Sequence, residues 1–244
     1  MPKNTKITDK TKESDVAIAH ELIPKNVSQA IGIFIGKFAF PAANEYGQAW
    51  AEKVSAWRQE NLYKLLNKAD RMYNQNQTDL KKIHPRLMHH IVEDGSWSDS
   101  DQMLDMWAGL LATSCSVNGE DDSNLIFINI LKQITHIQAV ILDYACENCK
   151  PTITKAGLVL CKDQLFITVD QLAEITQIED YHRLDRELDH MRSLELITMN
   201  GGFMFDSLQA DITPSALGIQ LYIRCQGYVG SPVEYFNLNP NIDA

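Results

Sequence analysis

No stretch of this chain reaches the roughly 20 consecutive apolar residues that a membrane-crossing helix needs. The nearest approach, residues 27–43, is Val-Ser-Gln-Ala-Ile-Gly-Ile-Phe-Ile-Gly-Lys-Phe-Ala-Phe-Pro-Ala-Ala, interrupted by Lys37 and broken at Pro41. Positive charge is also in short supply, with 22 Lys and Arg against 32 Asp and Glu and a net charge of -10. Sequence-independent binding to nucleic acid depends on cations that displace counterions, so a phosphate backbone is not the expected partner. Cysteine is sparse as well, five residues in 244. That odd number is too thin for a secreted disulfide scaffold and points to a reducing compartment, the cytoplasm. Residues 1–15 hold no apolar core and do not read as a secretory signal.

The motifs of familiar chemistries are missing too. Gly32-Ile-Phe-Ile-Gly36-Lys37 has too few residues between its glycines for a phosphate loop and no Ser or Thr after the lysine. The acids Asp99, Asp101 and Asp105 lack the glycine and the terminal glutamate of a calcium loop. No serine or cysteine sits in a nucleophile elbow. Cys146-Glu-Asn-Cys149 has the spacing of a zinc half-site or a redox pair, yet no second pair follows it; Cys161 is twelve residues on and Cys225 is distant. These are read as ordinary cysteines at a helix end. His89, His90, Glu93 and Asp94 form two i, i+4 pairs without a third ligand region and are read as a solvated helix face. No catalytic residue, cofactor or metal site is expected, and the chain is not read as an enzyme.

What the chain does have is helical periodicity. Residues 1–19 are polar and are expected to form a flexible tail, and 20–124 a helical domain. Residues 44–75 carry an apolar stripe through Tyr46, Trp50, Val54, Trp57, Leu62, Leu65, Leu66 and Ala69, with Arg58 and Lys68 among the charges placed off it. Pro85 opens a second helix. The centre is the stretch 93–114, where Ser98 and Asp101 have capping spacing and Met103, Met106, Trp107, Leu110 and Leu111 recur at helical intervals. Ala108, Gly109 and Ala112 make a ridge low enough for a neighbouring helix to approach closely. Trp97, Met103, Trp107, Leu110 and Leu111 are the candidate hub, either interior cement or contact residues. Gly32, Phe34, Gly36 and Phe38 are the candidate membrane- or helix-contact residues, with Gly32 and Gly36 at small-xxx-small spacing. Buried-helix packing explains them more simply.

Thr135 with Gln138, and Thr168 with Gln171, are capping-box pairs that open helices at 136 and 169. A further helix spans 181–194. Leu196 to Met199, the turn Asn200-Gly201-Gly202, and Phe203 to Phe205 read as strand, turn and strand. Thr213-Pro214 caps a last helix. With 136–148 as the leading helix, this order is that of a winged-helix domain over 125–228, followed by an irregular C-terminal tail at 229–244. Its candidate reading helix sets Arg183, Arg186 and Arg192 against Asp180, Asp185, Glu187, Asp189 and Glu195, and residues 160–226 hold 11 acidic and 5 basic side chains, a net of -6. Protein contact, in place of DNA binding, is expected of it.

Three segments in this order resemble the bacterial abortive infection alpha (Abi-alpha) proteins. They are Trp57-Arg-Gln-Glu-Asn-Leu-Tyr-Lys-Leu-Leu-Asn-Lys-Ala69; Pro85-Arg-Leu-Met-His-His-Ile-Val-Glu93 leading into Asp101-Gln-Met-Leu-Asp-Met-Trp-Ala-Gly-Leu-Leu-Ala112; and Phe127-Ile-Asn-Ile-Leu-Lys-Gln-Ile-Thr135. The resemblance runs over roughly residues 20 to 225, with Trp-Ala-x-Leu-Leu-Ala its most specific element. It implies a part in bacterial defence against phage, in which the infected cell stops growing or dies. It brings no catalytic residues with it.

The expectation is therefore a mainly α protein, an N-terminal helical domain packed on a C-terminal winged-helix-like domain with a small β-hairpin wing. It would serve phage defence without catalysis, through a protein partner or self-association. One alternative is an effector that perturbs membranes on activation through residues 27–43; another is a winged-helix transcriptional regulator.

Overall fold

The computed structural model describes residues 48–76, 82–116 and 119–239. The expected tail at 1–19 and the segment 27–43, with Gly32, Phe34, Gly36 and Phe38, lie outside the described residues. Among the described residues no helix is long and apolar enough to cross a membrane.

The fold is mainly helical with small antiparallel sheets. Helix α1 (Gln48–Asn76) buries Leu62, Leu65, Leu66 and Ala69 of the expected stripe, and Val54 and Trp57 are half-buried. Arg58 departs from expectation, because it is buried and not on the solvated face. A short pairing of β1 (Lys82–Ile83) with β2 (Cys115–Ser116) brackets α2 (Pro85–Gly95) and α3 (Asp101–Thr113). Proline fits the first turn of α2 because its missing N–H would have no helical acceptor there. Helix α3 is capped by Ser100, whose side chain accepts the Met103 N–H at 3.2 Å, so the cap lies two residues beyond the expected Ser98. Only an extended residue directly before the first turn can reach that amide.

Helices α4 (Leu125–Leu131) and α5 (His136–Asn148) follow. The Thr135 and Gln138 box is reciprocal, each side chain bonded to the other residue's backbone N–H. A hairpin of β3 (Pro151–Ile153) and β4 (Val159–Cys161) comes next, then β5 (Phe166–Thr168), α6 (Val169–Thr176) and α7 (Tyr181–Ser193). The Thr168 and Gln171 box opens α6 as expected. Strands β6 (Gly202–Phe203) and β7 (Gln209–Asp211) close a three-stranded antiparallel sheet of order β5-β7-β6, with Ile167 opposite Ala210 and Phe203 opposite Ala210 on the other side. Helix α8 (Ala216–Cys225) is capped by Ser215, not Thr213. Thr213 is occupied elsewhere, its hydroxyl bonded to the buried Asp211 and accepting the Leu165 N–H at 2.8 Å. The one-turn α9 (Pro232–Tyr235) lies where composition predicts irregular chain, held by a Ser231 and Glu234 capping box and by edge-on contacts of Tyr235 with Tyr222 and Tyr228.

Helix α3 is the centre. Met103, Leu104, Met106, Trp107, Ala108, Gly109, Leu110, Leu111 and Ala112 are all buried, so it is covered nearly all round by α1 on one side and α8 on the other. The expected neighbour of the small ridge is α8, whose Cys225 backbone meets Gly109. Buried residues from Leu62 to Cys225 form one continuous cluster, which crosses residue 124 without a break.

Candidate interaction surface

The most exposed apolar side chains among the described residues lie on the sheet's last hairpin and just before it. Two glycines set its path. Gly202 has φ +121°, a backbone conformation that side chains with a Cβ rarely adopt, and a Cβ on Gly201 would stand 2.6 Å from Ile197 Cδ1. The turn expected at 200–202 does form, with Gly201 N–H donating to Thr198 O at 2.8 Å, yet it is not the hairpin tip. Ile197 pairs with Pro214, Gly202 and Phe203 pair with Asp211 and Ala210, and the chain reverses at 205–208. Met204 N–H donates to Gln209 O at 2.9 Å and closes that reversal. Leu196 to Met199 is therefore not a full strand.

The base of the hairpin is anchored in the interior. Asp211 is fully buried, and it accepts from Thr213 N at 2.9 Å, from the Thr213 hydroxyl and from Gln164 Nε2 at 3.3 Å. Arg192 Nη1 donates to Gly201 O at 2.8 Å and ties α7 to the turn. Beyond these anchors Phe205 is fully exposed, Met199 is 91% exposed and Leu208 82% exposed; Met204 is exposed next to Phe205, and Phe166 is exposed on β5 opposite Asp211. Leu208 O accepts the Val169 N–H at 3.0 Å, which places the tip against the start of α6. These exposed apolar side chains stand on a framework anchored by buried polar contacts.

The same surface is poor in cations. No Lys or Arg occurs between Arg192 and Arg224, while Asp206 lies in the tip itself. On α7, Leu184, Leu188 and Met191 face the core. Arg183 pairs with Glu187 at 3.9 Å, Arg192 pairs with Asp189, and Asp180 caps the helix through the amides of His182 and Arg183. Two of the three arginines are thus neutralised on their own helix. Gln138 Nε2 donates to Glu187 O at 3.2 Å and meets the His190 ring at 2.9 Å, fixing α7 to α5.

The hub residues separate into two groups. Met103, Trp107, Leu110 and Leu111 are interior. Trp97 is 49% exposed, lies with its ring 4.5 Å from the Arg58 guanidinium carbon and tilts against Trp57 at 6.0 Å. Arg58 in turn donates to Ser96 Oγ at 3.0 Å and pairs with Glu93 at 3.0 Å. The other acid of the expected histidine face, Asp94, pairs with Lys132 at 3.1 Å and lies 3.6 Å from the His90 ring. Cations therefore occupy both carboxylates, and among the described residues no group of His, Cys, Asp and Glu is arranged to hold a metal. Cys146 and Cys149 are buried, and Cys149 meets Cys161 across the end of the β3–β4 hairpin.

Sequence reading missed Phe205 and Leu208. Phe205 ends the run read as the second strand, 203–205, and Leu208 follows Asp206 and Ser207 outside any predicted element. A family model described as abortive infection alpha matches residues 58–220, more than half of the chain. No curated protein and no solved structure matches the chain.

Proposed function

The chain belongs to the abortive infection alpha family, and from that premise we propose that it defends bacteria against phage by gripping another protein, without catalysing a reaction. In this reading α5, β5, α6, α7 and the β6–β7 hairpin form a winged-helix arrangement, and its wing is the gripping element. Their order along the chain and the β5-β7-β6 sheet support that arrangement. The observation that carries the reading is the apolar tip, Phe205 and Leu208, held out on a hairpin whose base is locked by Asp211 and Arg192, with Met199 exposed in the chain just before it.

The charge pattern selects among partners. A wing that approached DNA would present Lys or Arg to phosphate, and this one presents Asp206 among apolar side chains. The complementary partner is a protein with a shallow apolar pocket rimmed by basic residues. Cytoplasmic action follows from the same reading.

The test is phage plating on cells that carry the chain, with Phe205→Asp and Leu208→Asp combined, and cross-linking of the tip in infected cells. The expected outcome is a variant that melts like the parent, loses protection and loses the cross-linked species. A variant that folds and still protects would sink the reading. Sequence-selective duplex binding at low salt would establish the transcriptional alternative instead.

A further inference from the structure

We propose that Cys149 and Cys161 form a peroxide-responsive thiol pair, in which Cys161 is the attacking sulfur and Cys149 the resolving one. The site is distinct from the wing and does not depend on the proposed function.

Topology brings the two together. Cys149 ends α5, its N–H donating to Ala145 O at 2.9 Å, and β3 begins two residues later. Strand pairing sets Pro151 opposite Cys161, and Lys162 N–H donates to Lys150 O at 2.7 Å, extending the ladder one step toward Cys149. In an antiparallel ladder this register puts Cys149 opposite Asp163, so Cys149 and Cys161 are diagonal neighbours on one face. Their side chains are hydrogen bonded to each other. The Cys146-x-x-Cys149 spacing suggests the wrong pair, because Cys146 lies within the helix and is buried among apolar side chains.

The two sulfurs differ in the way that such a reaction needs. Cys161 is partly exposed at the end of β4, its thiol 3.1 Å from Asp163 O, and the neighbouring Cys149 side chain, with the backbone of Lys150 and Asp163, lowers its pKa to about 7. Cys149 is buried, its thiol donating to Cys146 O at 3.5 Å, and its contact with Cys161, together with burial, holds it in the thiol form. Burial likewise pushes Cys146 and Cys225 up and keeps both protonated. A thiolate is the nucleophile in such chemistry, which selects Cys161.

The oxidant is a hydroperoxide, for which hydrogen peroxide is the probe. The Cys161 thiolate attacks one peroxide oxygen and the O–O bond breaks. The attacked oxygen becomes a sulfenic hydroxyl, and the other leaves as hydroxide and is protonated to water. Cys149 then gives up its proton and attacks the sulfenic sulfur; the S–S bond forms as the S–O bond breaks, and a second water leaves. Two thiols are oxidised by two electrons in all, and one peroxide is reduced to two waters. The resulting bond would staple the end of α5 to β4, which packs on α8.

The full chain, reduced and freed of reductant, is treated with hydrogen peroxide, alkylated and mapped by mass. The expected result is loss of two of the five thiols and one cross-linked peptide joining Cys149 to Cys161. The rate should level off above pH 8, where an ordinary thiol is still becoming ionised. In Cys149→Ser, dimedone should capture a sulfenic acid on Cys161, and in Cys161→Ser, Cys149 should stay reduced. Mapping the parent chain needs no variant to fold. A Cys146–Cys149 bond, first reaction at Cys115, or five intact thiols after peroxide has fully oxidised free cysteine would each overturn the proposal.

Discussion

Gly109 of α3 lies so close to Cys225 of α8 that a methyl group built on it would stand 1.7 Å from the Cys225 carbonyl oxygen and 2.7 Å from its Cα. The obstacle is backbone, which cannot swing aside as a side-chain end can. Thr113 reinforces the crossing, its hydroxyl lying 3.4 Å from Arg224 O. Gly109→Ala would gain about 1 kcal/mol from helix propensity. Separating two packed helices outweighs that, at about 3 kcal/mol or more. The expected outcome is a net loss in denaturant unfolding. Gly157→Ala is the control, since nothing lies within 4 Å of its added methyl and only the strain of φ +81° remains, costing about 1 kcal/mol. Equal losses at the two positions would mean that α3 and α8 do not touch.

The two tryptophans near the start of α3 should behave differently. Trp107 is 2% exposed, and Trp107→Ala should cost about 3–5 kcal/mol through lost burial and the cavity left behind. Trp97 is half exposed and stacks on Arg58, a contact worth about 0.5–1 kcal/mol at such a site. Thermal melts of the two variants side by side decide this. A Trp97→Ala variant as unstable as Trp107→Ala would place Trp97 in the core.

The two capping boxes allow a finer comparison. Thr168→Ala removes one cap and should cost about 1 kcal/mol. Thr135→Ala removes a cap and also the hydrogen bond from its hydroxyl to Glu187 Oε2 at 2.9 Å, which joins α5 to α7. Its loss should therefore be the larger, by up to about 1 kcal/mol since the added bond is exposed. Chemical denaturation of both variants reads the difference, and identical midpoints would show the Glu187 bond to be energetically silent.

These boxes are also where sequence reading succeeded, and the reason is local. Thr135 with Gln138 and Thr168 with Gln171 satisfy each other within four residues, so nothing distant can move the helix start. The caps lie at Ser100 and Ser215 and not at Ser98 and Thr213: Ser100 stands directly before the first turn of α3, and Thr213 is held by Asp211 and Leu165. The strands β3 to β5 are three residues each and pair with chain that sequence periodicity cannot identify. Arg58 was placed outside because charge on a helix usually is; Ser96 and Glu93, more than thirty residues away, bring it inside. The meeting of Cys149 with Cys161 follows from strand register and not from spacing. The exposed tip follows from register in the same way, since the pairing of β6 with β7 puts the chain reversal at 205–208 and not at 200–202.

Asp143 supplies a dependence of stability on pH. It lies on α5 between Gln102, whose Nε2 donates to it at 2.8 Å, and Gln226, whose Nε2 donates at 3.3 Å. Burial raises its pKa above the ordinary value of 3.8, Asp105 adds to the rise, and the Gln102 bond opposes it without cancelling it. The folded chain therefore holds this proton more tightly than the unfolded chain does. Such a group contributes stability that is fully present below pH 3.8 and is lost as pH rises through the higher folded value. Asp143→Asn removes the charge that burial penalises, and either glutamine can rotate its amide to meet the new side chain. The variant should match the parent at low pH and melt higher than it at neutral pH, with the gap opening just above the unfolded value. Thermal melts of both proteins from pH 3 to 7 give that curve. A gap that closes as pH rises would mean that Asp143 is stabilised as a carboxylate, by its two glutamines, more than burial disfavours it.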